Sequence, residues 1–131
     1  MKGLDTSALL GLLHGDPTVR KVLRSWSGEE IATSELCLAE LTAIALRQPS
    51  KVRTHRLQVL ERLRRRISVL PVDHRATTAL ATHSGPSTNV GGLLASIVVL
   101  AALETAGCDE VLTGPGAPPT RSWGKLKVRK S

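Results

Sequence analysis

The chain has no Phe and no Tyr, and Trp26 and Trp123 are its only aromatic residues besides histidine. A core built from it must therefore be aliphatic. Cysteine is nearly absent too. Cys37 and Cys108 follow no metal-ligand spacing and read as small apolar packing residues in a reducing cytosol. No apolar run is long enough to span a bilayer, since the most apolar stretch covers only 91–103. The opening MKGLDTSALL does not read as a signal peptide. These absences point to a soluble, cytoplasmic protein with no membrane partner. Acids are scarce as well, 11 against 18 Lys and Arg, for a net charge of +7.

What is present is one domain's worth of chain. At 131 residues with 41% hydrophobic content, the sequence suits a single globular core spanning 1–131. The basic residues gather in two blocks. Residues 47–66 carry eight Lys or Arg against one acid, Glu61, and a basic tail at about 121–131 carries five and no acid. Such blocks suit a polyanion, RNA or DNA first. An Arg-rich solvated surface would leave the same trace.

Patterns of period two and period 3.6 alternate along the chain. A short strand ends at Asp5, and a helix follows over about 7–14. Asp16-Pro17 opens a second helix running to about Ser25. EIAT at 30–33 reads as extended. Ser34 opens a strong helix closed by Pro49, and another covers about 51–66. ISVLP at 67–71 reads as a buried strand, and Asp73 caps a helix to about His83. SGPSTNVGG at 84–92 is the clearest loop. An apolar helix over about 93–106 ends at Gly107, DEVLT at 109–113 is a strand, and 126–128 could add a last edge strand. This order predicts an α/β fold: a central parallel sheet of four to five short strands with helices on both faces. In such sheets a site lies beyond the carboxyl ends of the strands.

That rule selects the acids. Asp5 ends the first strand and precedes a helix; taken alone, Asp-Thr-Ser there reads as a helix cap before it reads as a site carboxylate. Glu40 shares a helix face with Leu36, Ala43, Ile44 and Arg47. A carboxylate in such a stripe needs an ion-pair partner or a ligand. Glu29, Glu30 and Glu35 read as solvated or capping. Asp109 and Glu110 begin their strand, at the wrong edge. The four histidines fall on separate elements without metal-ligand spacing, and no phosphate-binding glycine loop occurs.

Asp5-Thr6-Ser7-Ala8-Leu9 after a first strand, SELCLAELTAIALR, and GGLLASIVVLAALETAGCDEVLT together resemble the three motif regions of PIN domains, specifically small VapC-like toxins of toxin–antitoxin pairs. The resemblance implies a metal-dependent endoribonuclease. Asp5 and Glu40 would be the catalytic, metal-holding acids for Mg2+ or Mn2+, and Ser7 and Thr113 would line the substrate site. RNA is then the implied substrate, an antitoxin a possible protein partner, and a homodimer a possible assembly. Phosphate contacts would come from the basic helix through Arg53, Arg56, Arg62, Arg64, Arg65 and Arg66.

Two acids of the family pattern are missing. The position that opens the third-region helix is Ala95, and the position two beyond Thr113 is Pro115. Glu104 lies nine residues along the helix from Ala95, about 13 Å at 1.5 Å per residue, too far to substitute. The resemblance therefore implies either a weakened nuclease or a non-catalytic relative that binds RNA or a protein. A plain interaction module is the third reading.

Overall fold

The computed structural model describes residues 1–76, 78, 94–114, 122–123 and 126–130, with no side-chain description for 94–97 and 122–123. The expected loop at 84–92, the continuation of the helix towards His83, and Pro115 lie outside the described residues. The elements in chain order are β1 (Lys2–Leu4), α1 (Thr6–Leu13), α2 (Pro17–Ser25), β2 (Ile31–Ser34), α3 (Glu35–Leu46), α4 (Ser50–Arg66), β3 (Ser68–Leu70), α5 (Leu94–Thr105), β4 (Glu110–Thr113), β5 (Ser122–Trp123) and β6 (Leu126–Lys130). Asp73 Oδ1 accepts from the backbone N–H groups of Arg75 and Ala76, so the cap expected there is formed.

Caps set most boundaries. Asp16 Oδ1 accepts from the Thr18 N–H at 2.8 Å and Pro17 occupies the first turn of α2, where its missing N–H is harmless. Ser34 Oγ accepts from Leu36 N–H at the start of α3. Gly107, at a φ of 99°, ends α5 in the left-handed region that favours glycine.

One sheet has the order β3-β2-β1-β4-β6-β5. Five strands run parallel, and β5 joins antiparallel. The expected parallel α/β fold is therefore present, with a sixth short strand besides. Residues 126–130 do not form the edge: β6 lies between β4 and β5. The core is aliphatic, with Leu4, Leu9, Val19, Leu103, Val111, Leu112 and Leu126 fully buried, and Trp26 joining them. Cys37 and Cys108 are free and buried. Burial pushes both thiols up, Cys108 to about 11, so neither carries the thiolate that reactivity requires.

The strand order fixes where a site can form. From β1 the chain winds outward through β2 to β3, then crosses back through α5 to β4 on the other side of β1. Right-handed crossovers place the helices of the two windings on opposite faces. The winding reverses between β1 and β4, and sheets of this kind place their crevice at such a reversal, beyond the carboxyl ends. The opposite edge is closed by charge: Lys2 Nζ lies 3.2 Å from Asp109 and 3.4 Å from Glu110. Those two acids are thus engaged away from the crevice.

Candidate active site

Asp5 follows β1 directly and caps α1. Its Oδ1 accepts from the Ala8 N–H at 2.9 Å and from Ser7 Oγ at 2.7 Å. Its own N–H donates to the Leu112 carbonyl of β4 at 3.2 Å. Ser7 Oγ also accepts from the Gly114 N–H at 2.8 Å. A hydroxyl has one proton and two lone pairs, so Ser7 links the end of β4 to the Asp5 carboxylate. The two strands that flank the winding reversal are joined through one side chain.

Glu40 reaches the same place from α3. Its Oε1 accepts from Thr6 Oγ1 at 3.1 Å. The two acids are near enough to feel each other: burial raises the Asp5 carboxyl above its ordinary range, the Ala8 and Ser7 hydrogen bonds pull it back, and the Glu40 charge adds to the rise. Charge repulsion of this kind is relieved by a cation. The donors are oxygens alone, a set that suits a hard divalent ion such as Mg2+ or Mn2+, which needs only one or two protein carboxylates beside water and phosphate. Among the described residues no group of three or more His, Cys, Asp or Glu could hold a metal. The pair therefore fits such an ion only with outside ligands completing its shell.

Glu40 is not inside an apolar stripe. The buried face of α3 is Cys37, Leu38, Leu41 and Ala45, rotated from the face expected at 36, 40, 43, 44 and 47. Ala43 and Arg47 are exposed and Glu40 is half-buried at the margin. A position on that margin suits a carboxylate that must meet a ligand from solvent.

Thr113 ends β4 beside this crevice and is buried. Its Oγ1 donates to the Arg129 carbonyl of β6 at 3.4 Å. Ala95 occupies the first turn of α5. The arginines of α4 divide among three surroundings. Arg64 forks onto Glu35 at 2.6 and 3.2 Å and holds that carboxyl below its usual range, so Glu35 is paired rather than merely solvated. Arg56 lines a groove of about 240 Å³ against α1 and α3. Arg62 and Arg65 line another beside Leu57 and Glu61. Arg66 is exposed and Arg53 half-buried.

Sequence reasoning missed Thr6 and Gly114. The available signal for Thr6 was its place between Asp5 and Ser7. Gly114 was marked only by following the strand that ends in Thr113.

The sequence pattern of the PIN domain matches residues 3–105, and the chain belongs to that family. A search of curated proteins finds no match. Solved structures share the fold at low identity. VapBC2 from Rickettsia felis, bound to a promoter DNA fragment, superposes with a TM-score of 0.74 at 11% identity, covering 99% of this chain and 98% of that one. FitAcB from Neisseria gonorrhoeae gives 0.71 at 21%, covering 98% and 96%. VapBC-5 from Mycobacterium tuberculosis, of a toxin–antitoxin family, gives 0.68 at 21%, covering 99% and 98%.

Proposed function

We propose that this chain is the toxin-type partner of a VapBC-like pair, a divalent-metal-dependent endoribonuclease of reduced activity. The observation that carries this reading is that Glu40, held by the hydroxyl of Thr6, is brought beside Asp5 at the winding reversal of the sheet. Asp5 and Glu40 would hold Mg2+ or Mn2+. A cation so held activates water and neutralises phosphate charge. Ser7 keeps the Asp5 carboxylate oriented, and exposed arginines of α4 hold the RNA backbone. With two carboxylates, affinity for the ion is low and substrate phosphate must complete its shell.

The partner assignment rests on the fold likeness to toxin–antitoxin complexes and on the groove between α1, α3 and α4. Leu10, Leu13, Leu41, Ile44 and Val59 line it, with His14, His55 and Arg56. An apolar floor with basic groups suits an amphipathic, acidic segment of an antitoxin.

The test is cleavage of single-stranded RNA in Mn2+. Asp5→Asn should lower the rate by about 100-fold or more, as expected for losing a charge that stabilises the transition state. It should not lower the melting temperature. Asn caps a helix as well as Asp, and the raised Asp5 carboxyl sets the sign. Above both its folded and unfolded values, the ionised group costs the fold stability, and Asn removes that cost. Cleavage by Asp5→Asn equal to the native rate would assign the activity elsewhere. The second reading, a non-catalytic RNA binder, is favoured by the absence of a third acid among the described residues. It predicts no Mn2+-dependent cleavage by the native chain.

RNA binding has its own test. The triple change Arg62→Gln, Arg65→Gln, Arg66→Gln should weaken binding alike for unrelated sequences, because phosphate contacts carry no sequence information. At about 0.7 per contact on a single strand, the slope of log affinity against log salt should shrink by roughly 2. An unchanged slope would make this surface a solvated one.

A further inference from the structure

We propose that Thr6 is a positioning residue that fixes Glu40 against Asp5, an inference that rests on the reading of these two acids as the metal-holding pair.

The two carboxylates are held by different means. Asp5 follows β1 in the chain, its N–H is bonded to β4, and two donors converge on its Oδ1. Its short side chain has little freedom left. Glu40 comes from another element and sits at the half-buried margin of α3. Three side-chain torsions separate its carboxylate from the backbone, and ordering them costs entropy. Among the described residues the hydrogen bond to that carboxylate comes from Thr6 Oγ1, at 3.1 Å.

Thr6 is well suited to hold it. Threonine is β-branched, so its χ1 is stiff, and as the first residue of α1 its backbone is fixed by the Asp5 cap. A hydroxyl has a single proton, and here that proton goes to Glu40. The buried Cys37 thiol is a hydrogen-bonding neighbour of the Thr6 hydroxyl. The tripeptide 5–7 thus supplies one acid, ties it to β4 through Ser7 and Gly114, and holds the second through Thr6.

The test compares Thr6→Val, which removes the hydroxyl at nearly constant shape, with Thr6→Ser, which keeps it. The first readout needs no metal: the χ1 populations of Glu40, from NMR scalar couplings on the full chain. Glu40 should hold one rotamer in the native chain and in Thr6→Ser, and average among rotamers in Thr6→Val. The second readout is Mn2+ affinity from electron paramagnetic resonance. It should fall roughly 10-fold in Thr6→Val, the scale for losing a partner that orients a metal ligand, and stay within about 2-fold in Thr6→Ser. If Thr6→Val does not fold, Thr6→Ala carries the same comparison. Unchanged Glu40 rotamers on loss of the hydroxyl would overturn the proposal, as would equal loss of affinity in the Ser and Val variants. A native chain that binds no Mn2+, but whose Glu40 rotamers still respond to Thr6→Val, would sink the metal reading and support the positioning role.

Discussion

Gly114→Ala should destabilise the chain by about 2–3 kcal/mol, the upper part of the range for forcing an atom into a packed place. A Cβ at residue 114 would overlap the backbone carbonyl of Ser7 and come 3.0 Å from the Ala8 nitrogen. These are backbone atoms of the first turn of α1, so no side-chain rotation relieves the overlap. Either β4 or the start of α1 must shift. The same residue donates its N–H to Ser7 Oγ, and Ser7 donates to Asp5, so any shift carries the Asp5 carboxylate with it. The melting temperature should drop by roughly 5–15 °C. Ser7→Ala separates crowding from bonding, because it removes the acceptor and leaves the spacing. It should cost about 1–3 kcal/mol by stranding the buried Gly114 N–H. Calorimetry of the two variants decides the matter. A Gly114→Ala protein melting within about a degree of the native chain would mean that β4 and α1 do not approach this closely.

That contact shows where sequence reasoning stops. The element order, the caps at Asp5, Asp16, Ser34 and Asp73, and the parallel sheet were legible, because each rests on neighbours within a few residues or on hydrophobic period. Asp5 could be placed at the carboxyl edge because a strand, an acid and a helix start follow one another in the chain. Glu40 was legible as a candidate, but its face was not. The segment 36–47 is apolar nearly all round, so periodicity alone did not choose between the stripe holding Glu40 and the adjacent stripe of Cys37, Leu38, Leu41 and Ala45 that is buried. Strand β5 is two residues long, below any periodic signal, and without it β6 reads as an edge. The pairing of Arg64 with Glu35 spans 29 positions, and that of Gly114 with Ser7 spans 107. Nothing local announces such partners. They appear only once the winding of the sheet brings the chain back on itself.

Ala95→Asp should raise Mn2+ affinity about 10-fold or more and RNA cleavage by roughly 100-fold over the native chain, the scale of restoring a group that orients a metal and stabilises developing charge. The direction of α5 is the reason. The helix ends just before β4 begins, and Asp109 N–H bonds to the Met1 carbonyl at the amino edge of the sheet. Its 12 residues extend about 18 Å the other way, so its first turn lies towards the carboxyl edge, where Asp5 and Glu40 converge. Glu104, in the last turn, is carried to the opposite end and cannot stand in. An acid in a first turn is favourable to the helix dipole, so the change should leave folding intact. Pro115→Asp, two positions beyond Thr113, is the companion change, and it should add to the gain if the family register holds past β4. The repaired chain must be compared with the same chain carrying Asp5→Asn, which should lose the gained cleavage. Binding should be followed by Mn2+ titration and turnover by a fluorescent single-stranded RNA. Should the folded Ala95→Asp protein gain neither affinity nor cleavage, then residue 95 is not where the third acid belongs, and the crevice serves binding rather than hydrolysis.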